Sequence, residues 1–356
     1  MRIKFEPRHE PDPAWTSFAY ALALALGLGA TVLMLAATGA PIMSAFAALF
    51  EGAFGSGRAI YRTITQATPL ILTGLATVVV FRARIWSIGQ EGQVYAGAMG
   101  AYWAVLTFAH LPAAAVLMLA CAAAIAAGGV TAWLAAAARN HFGISEIFST
   151  VMINYVVVYL MSYLLAGGPW MEVGTNIAYQ QSPKLPDHAV FPVLSADLPV
   201  HLGFAVALLA AIGVHLLIER SAFGYDLRAL GANSLALRFT GGNVKRVATI
   251  ALILSGALAG LAGAGELLGV QHRLKSEYYL GLGYTGIIVA IVGGLRPFAT
   301  VVVAILFGGL SAGAVPMRVV SGVPDALIPA MQGMILLFVL CGRTIARYRI
   351  SWRSAE

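Results

Sequence analysis

Charged residues are scarce in this chain of 356 residues. Asp, Glu, Lys and Arg make up 10% of it, whereas hydrophobic residues make up 60%. An ordinary soluble domain carries roughly 25% charged residues. Apolar runs recur from end to end, and most approach the ~20 residues that a helix needs to cross a bilayer. The scarcity of charge therefore excludes a soluble globular protein and predicts an all-α, polytopic integral membrane protein.

Cysteine is scarce too, and the remaining candidates for catalytic groups are dispersed. The two cysteines, Cys121 and Cys341, lie far apart inside predicted spans, which argues against a disulfide framework or a metal site. The seven histidines are scattered, and neither H-E-x-x-H nor C-x-x-C occurs. A membrane-embedded enzyme is therefore the weakest interpretation of this sequence.

Nucleotide-binding motifs are missing as well. There is no G-x-x-x-x-G-K-[ST] sequence, so the chain does not carry a P-loop motor. The stretch Gly281–Gly286 fits G-x-G-x-x-G but follows no strand, and we interpret it as a flexible turn into a short membrane helix. The first apolar run follows a charged tail and lacks a cleavage site of small residues, so we expect it to stay as a span.

The apolar runs predict about ten transmembrane helices in a permease-like membrane domain, residues 14–342. Short cytoplasmic tails, residues 1–13 and 343–356, flank this domain, and the longest break, residues 167–199, is predicted as an external loop. A helix at the outer interface is expected within residues 41–57. The predicted spans cover residues 15–38, 63–81, 85–108, 112–138, 147–166, 200–218, 247–270, 282–294, 297–315 and 326–341. The run at 282–294 is too short for an ordinary span and is predicted to be a half-helix or re-entrant segment.

The basic residues fix the predicted orientation. With both termini inside, sixteen of the 22 Lys and Arg residues fall on inner segments. The six on outer segments are Arg58, Arg62, Lys184, Arg273, Lys275 and Arg318. This bias follows the positive-inside rule and explains the net charge of +7 better than nucleic-acid binding does. We therefore predict a multi-pass protein of the bacterial cytoplasmic membrane, with both termini cytoplasmic.

One polar stretch, residues 219–246, stands out between two apolar runs. It carries five basic residues and is predicted to be cytoplasmic. Leu227 and Leu230 lie three apart, and Leu235 and Phe239 lie four apart, as in two short amphipathic helical turns. We expect a break at Gly231 and a stop at the two glycines that follow Thr240. The stretch is predicted to dock a soluble cytoplasmic partner.

Two carboxylates fall at membrane depth, where an ionisable group is costly and tends to face a cavity or a partner. Glu91 lies near the start of a predicted span, so it either favours the positive end of that helix dipole or lines a path. Glu266 lies toward the outer end of its span. It either reaches the interface, where Arg273 is a candidate partner, or lines the same path.

Polar residues at three further positions are candidates for binding a polar solute. These are Gln93, Asn154 and Tyr155. Hydrogen bonds between helices explain them about as well. The small residues Gly256 and Gly260, four apart, favour close helix packing over contact with a transported molecule.

Several stretches, in order over residues 65–338, resemble a known family. They include Phe81-Arg-Ala-Arg-Ile-Trp-Ser-Ile-Gly-Gln-Glu-Gly-Gln93, Glu146-Ile-Phe-Ser-Thr-Val-Met-Ile-Asn-Tyr155, Phe223-Gly-Tyr-Asp-Leu-Arg-Ala-Leu-Gly-Ala-Asn233 and Gly283-Tyr-Thr-Gly-Ile-Ile-Val-Ala290. The chain resembles permease subunits of ATP-binding-cassette (ABC) importers of the nucleoside, basic membrane protein-dependent type. These are related to ribose and branched-chain amino-acid permeases. Ser87 departs from the asparagine usual in that family.

The resemblance implies an importer subunit for a nucleoside or a related sugar-like solute. It implies a cytoplasmic ATPase that uses ATP and Mg, a second homologous permease and an external substrate-binding protein, with no cofactor bound by this chain. It also implies that residues 223–233 couple to the ATPase. The coupling candidates are Phe223, Gly224, Leu227, Arg228, Ala229, Gly231, Ala232 and Asn233. The alternative is a secondary transporter driven by an ion gradient, with Glu91 or Glu266 as its ion site.

Overall fold

The computed structural model describes residues 2–7, 13–37, 39, 41–172, 174, 180–193, 200–276, 281–324 and 326–353. Within them the chain is helical apart from two short strands, connecting segments and isolated bridges. The helices are α1 (Pro13–Ala37), α2 (Ile42–Phe54), α3 (Gly57–Arg82), α4 (Gln90–Phe108), α5 (Ala113–Phe142), α6 (Glu146–Leu165), α7 (Leu202–Arg220), α8 (Ala222–Ala232), α9 (Ser234–Phe239), α10 (Val244–Glu266), α11 (Leu282–Val292), α12 (Pro297–Ser321) and α13 (Leu327–Arg347). A π-helical turn, Leu267–Gln271, extends α10.

The predicted all-α, multi-pass class is confirmed. Six described helices are long and apolar enough to cross a membrane: α3, α5, α6, α7, α10 with its π turn, and α12. The run at 282–294 forms a helix of 11 residues, α11, which at ~1.5 Å per residue is about half a membrane thickness. A helix, α2, also occurs within residues 41–57.

The expected start of the third span is wrong. That span was expected to begin at Ile85, whereas the helix begins at Gln90 after a non-helical segment. Arg84 in the preceding turn has a positive φ of 55°, which interrupts the helical path. The sequence Ser87–Gln93 therefore divides between an irregular approach and the first turn of α4.

Residues Met1–Gly55 and Leu310–Glu356 form one compact unit. Its core joins α1, α2, the end of α12 and α13 through Leu35, Ala45, Met317, Leu327 and Met331. Strands β1 (Arg2–Pro7) and β2 (Tyr348–Arg353) pair antiparallel, with Arg2 opposite Arg353 and Pro7 opposite Tyr348. In the predicted tails, Pro13 begins α1 and residues 343–347 belong to α13, whereas residues 1, 8–12 and 354–356 lie outside the described residues.

The second unit, Ser56–Gly309, is built around close helix packing. A Cβ on Gly260 would overlap the carbonyl oxygen of Ala124 in α5, and one on Gly256 would overlap that of Gly128. A Cβ on Gly97 of α4 would in turn overlap backbone atoms of Gly260. Helices α4, α5 and α10 thus meet backbone to backbone, which confirms the packing role predicted for the small residues of α10.

Part of the predicted external loop packs against the segment that follows the π turn. The N–H of Ser182 donates to the carbonyl oxygen of Leu274 (3.0 Å), and that of Leu185 donates to the carbonyl oxygen of His272 (2.8 Å). The Leu274 N–H donates in turn to the Ser182 hydroxyl (2.9 Å). The rest of the loop, residues 173, 175–179 and 194–199, lies outside the described residues.

Candidate functional site

The N-termini of α4 and α11 meet inside the second unit. A Cβ on Gly283, in the first turn of α11, would overlap the backbone nitrogen of Glu91 and lie 2.6 Å from the carbonyl carbon of Gln90. Only glycine allows this approach. The far end of α11 is tied to the end of α3, because Arg82 Nε donates to the Leu295 carbonyl oxygen (2.9 Å). Since α11 has 11 residues and rises ~16 Å from there, it covers about half the thickness of a ~30 Å membrane core.

Glu91 caps α11 rather than its own helix. One carboxylate oxygen accepts a hydrogen bond from the N–H of Gly281 (2.5 Å). The other accepts from the N–H groups of Gly283 (2.8 Å) and Tyr284 (3.3 Å). The side chain is buried. The carboxylate therefore satisfies backbone donors that a half-helix would otherwise leave unpaired at membrane depth, and it faces the positive end of that helix dipole.

Asn154 fixes the irregular segment that leads into α4. Its side-chain nitrogen donates to the Ile88 carbonyl oxygen (2.8 Å), and its side-chain oxygen accepts from the Gly92 N–H (2.9 Å). One turn earlier on α6, the Thr150 hydroxyl accepts a hydrogen bond from the Ile88 N–H (3.2 Å). The polar face of α6 thus holds the start of α4 in place.

Tyr284 connects the start of α11 to Glu91. It follows Gly283 in the first turn of α11, and its backbone N–H donates to the Glu91 carboxylate (3.3 Å). The structure therefore brings Glu91, Gln93 and Asn154 together at the start of α4, and Tyr155 follows Asn154 on α6. We refer to Gln90, Glu91, Gln93, Asn154, Tyr155 and Tyr284 as the junction.

Gln90 was not among the candidates predicted from the sequence. Its side chain is fully buried, and neither its amide nitrogen nor its amide oxygen has a hydrogen-bond partner among the described residues. The side-chain oxygen of Gln93 is likewise buried and unpaired in the described part of the chain. Buried amide groups without partners cost free energy unless water or a solute binds them. The polar string from Ser87 to Gln93 was the signal that could have identified Gln90.

Glu266 occupies a different position. It is buried at the end of α10, one turn beyond Gly263, whose Cβ would overlap the carbonyl oxygen of Val94 in α4. Its candidate partner Arg273 forms an ion pair with Glu172 (3.1 Å) in the external segment. Glu266 is therefore on α10, whereas the junction residues are on α4, α6 and α11.

The polar stretch 219–246 forms two short helices, as predicted, but the break is not at Gly231. Helix α8 continues through Ala232, and Asn233 separates it from α9. The Asn233 side-chain oxygen accepts from the N–H groups of Leu235 (2.9 Å) and Ala236 (3.4 Å), so it caps α9. Gly231 has another role, because a Cβ there would overlap the carbonyl oxygen of Arg82 at the end of α3.

The coupling candidates differ in exposure. Gly224, Leu227 and Gly231 are buried and hold α8 against the rest of the chain, whereas Ala232 and Asn233 are exposed. Phe223, Arg228 and Ala229 are half-buried. Three exposed side chains that the prediction did not single out as coupling candidates, Tyr225, Leu235 and Phe239, provide most of the apolar surface of α8 and α9.

A series of ion pairs and hydrogen bonds links α8 to the turn after α11. Arg228 donates to the carbonyl oxygen of Ile218 and lies 3.3 Å from the Glu219 carboxylate at the end of α7. The other Glu219 oxygen lies 3.6 Å from Arg82 Nη2. Because Arg82 also binds the Leu295 carbonyl oxygen, the network ends in the turn after α11. The coupling helix α8 is thus connected to the C-terminal end of α11, the helix whose N-terminus lies at the junction.

The sequence matches a known protein family over most of its length. Residues 59–340 match the family described as branched-chain amino acid transport system / permease component. The chain belongs to this permease family. The resemblance predicted from the sequence motifs is therefore confirmed. Permease subunits of ABC transporters are non-catalytic membrane components, and a partner ATPase hydrolyses ATP.

The permease is similar to several curated relatives. It is 34% identical over 311 residues to the guanosine ABC transporter permease protein NupP of Bacillus subtilis, covering 87% of this chain and 89% of the relative. It is 29% identical to the glucose ABC transporter permease protein TsgB13 of Haloferax volcanii, covering 98% and 94%. It is 27% identical to the nucleoside ABC transporter permease protein NupB of Lactococcus lactis, covering 86% of each.

A solved structure, that of PsaBC from Streptococcus pneumoniae in complex with Fab, also matches this permease. The TM-score is 0.48 at 15% identity, over 83% of this chain and 95% of that chain.

Proposed function

We propose that this chain is the permease subunit of an ATP-driven importer for a nucleoside or a related sugar-like solute. The relatives named for guanosine, nucleosides and glucose support this class of solute. The observation that carries the proposal is the junction, where two helix N-termini meet beside buried, unpaired amides. Broken helices of this kind form solute sites in transporters because they expose backbone and polar groups at membrane depth.

We propose that solute passes beside the junction, where Gln93, Asn154 and Tyr155 are candidate contacts and Gln90 and Tyr284 are added to them. Glu91 would act indirectly, by holding the first turn of α11 in place. Its charge is engaged by three backbone donors, which favours a neutral solute over a cation. Glu266 remains a candidate for the outer part of the path.

We propose that the ATPase grips the exposed faces of α8 and α9, including Ala232, Asn233 and Phe239. Closure of the ATPase would displace α8, and Arg228 would transmit that displacement to Glu219 and Arg82. Because Arg82 binds the turn after α11, the displacement would reach the half-helix and change which side of the membrane the junction faces. ATP and Mg act in the partner ATPase in this scheme.

The further partners in this proposal are a second homologous permease and an external substrate-binding protein, in the bacterial cytoplasmic membrane. The coupling helices define the cytoplasmic side. The pairing of β1 with β2 supports placing both termini on one side of the membrane, and the basic residues of the tails favour the cytoplasmic side.

Uptake into proteoliposomes tests the proposal. The tagged chain is purified from its native membrane with its bound partners, reconstituted with the external binding protein, and supplied with ³H-guanosine or ¹⁴C-glucose. We expect an ATPase to co-purify and uptake to require ATP hydrolysis. Uptake without ATP that follows an imposed proton or sodium gradient would refute the proposal and favour the ion-coupled alternative.

A further inference from the structure

Three tyrosines form a stripe along α6. Tyr155, Tyr159 and Tyr163 lie four residues apart, which places them on one side of the helix, and they are 55%, 68% and 70% exposed. The rings of Tyr155 and Tyr159 lie nearly parallel, with centroids 6.5 Å apart. We call these three residues the tyrosine stripe.

The depth of the stripe argues against a surface that faces only lipid. Helix α6 has 20 residues and is therefore ~30 Å long, so Tyr155 lies near its middle and Tyr163 near its outer end. Tyrosines that anchor a helix in a bilayer lie at the two membrane interfaces. Tyr163 fits that role, but Tyr155 does not. A phenol hydroxyl exposed to hydrocarbon would lack a hydrogen-bond partner.

The inner end of the stripe coincides with the junction. Tyr155 follows Asn154, whose side chain binds the backbone of Ile88 and Gly92 at the start of α4. The buried, unpaired amide of Gln90 and the unpaired side-chain oxygen of Gln93 lie in the first turn of α4, at the same junction. A polar solute bound there would satisfy these groups, and from that point the stripe runs outward along α6. The stripe therefore begins next to the junction and continues toward the predicted outer end of α6.

We propose that the tyrosine stripe is the solute-facing wall of the outer half of the path, and that it binds the solute by stacking against the face of a ring. This inference rests on the proposed function. A tyrosine ring stacks on a planar nucleobase, and its apolar face also packs against the C–H face of a sugar ring. The three tyrosine rings are spaced along the helix and give the solute a series of similar stacking sites. The solute can therefore move from one tyrosine to the next without losing contact.

Leucine and phenylalanine substitutions in the complete transporter test the proposal. Tyr155→Leu and Tyr159→Leu keep apolar volume but remove the ring, whereas Tyr155→Phe keeps the ring and removes only the hydroxyl. Trp133→Leu is the matched control, because it removes an exposed aromatic ring from the neighbouring helix α5. Uptake of ³H-guanosine and ¹⁴C-glucose is measured per ATP hydrolysed, since the external binding protein sets much of the affinity.

We expect uptake per ATP to fall about tenfold in each leucine variant, which matches the loss of one stacking contact. The phenylalanine variant and the Trp133 control should stay within about twofold of wild type. If the wild type carries guanosine, the rings stack on a nucleobase. If it carries glucose, they pack against a sugar ring.

Two outcomes would overturn the proposal while leaving the proposed function intact. One is wild-type uptake per ATP in both leucine variants. The other is that less of the second permease co-purifies with the leucine variants, while the complexes that stay intact show wild-type uptake per ATP. That result would mean that the stripe packs against the partner chain. If wild type itself carries neither probe with ATP, the proposed function fails and this inference fails with it.

Discussion

The cap that Glu91 places on α11 gives a quantitative prediction for Glu91→Gln. Glutamine has one acceptor oxygen where the carboxylate has two. In Glu91→Gln, the single oxygen can take the place of the carboxylate oxygen that binds Gly283 and Tyr284. The Gly281 N–H, which lies 2.5 Å from the other carboxylate oxygen in the wild type, then faces an amide NH₂ group and loses its acceptor. Losing a hydrogen bond to a charged group costs about 1.5–3 kcal/mol. The two remaining bonds become neutral and weaken. Because glutamine also avoids the cost of burying a charge, we expect a net loss of about 1–2 kcal/mol in the free energy of unfolding.

The assay compares thermal unfolding and hydrogen exchange in nanodiscs. Glu91→Gln should unfold at a lower temperature, and the amides of α11 should exchange faster than those of α5. Glu51→Gln is the control, because it makes the same chemical change at an exposed position on α2 and should have little effect. If Glu91→Gln lost uptake while unfolding and exchange stayed at wild-type values, the carboxylate would act on the solute and the capping argument would be refuted.

The remaining predictions concern coupling, packing and pH. Gly231→Val should abolish solute-stimulated ATPase activity while membrane insertion stays intact, because its Cβ would overlap the Arg82 carbonyl oxygen; normal coupling would contradict this role. Arg82→Gln should keep the fold but uncouple ATP hydrolysis from uptake severalfold, as the links to Glu219 and to the turn after α11 are lost; an unchanged ratio of uptake to hydrolysis would contradict the relay. Gly260→Leu should lower thermal stability sharply, whereas Gly265→Leu on the same helix, where no atom lies within 4 Å of the added Cβ, should have a smaller effect; equal losses would argue against backbone packing. Burial and the nearby Lys184 lower the pKa of His272 from its usual 6.5. The unfolded chain therefore binds the proton more readily, and stability should fall as pH drops below ~6.5, an effect that His272→Asn should reduce.

Much of the fold follows from local sequence pattern. The apolar runs identify the spans, because the bilayer requires each span to satisfy its own backbone. The short run before Gly293 indicates a half-helix by its length alone. Gly256 and Gly260 indicate close packing because they recur at helical spacing.

The assignment of contacts did not follow from the sequence. The sequence left two roles open for Glu91, a favourable position in the first turn of its own helix or a place along a path. Its actual partners lie about 190 residues away and become neighbours only when α11 packs on α4. Gly231 looked like a helix break. Its lack of a side chain instead serves the approach to Arg82, and the local cap of Asn233 sets the break.

The backbone contacts among α4, α5 and α10 also limit how this protein can change shape. Where Gly97, Gly128 and Gly256 let main chains touch, no side chain lies between the helices to change rotamer and absorb a displacement. We therefore expect these three helices to translate as one stiff block. The relative sliding needed for transport would then be confined to helices outside this block, such as the more exposed α6 and α7, so a distance label within the block should stay constant through the transport cycle while one between α6 and α10 changes.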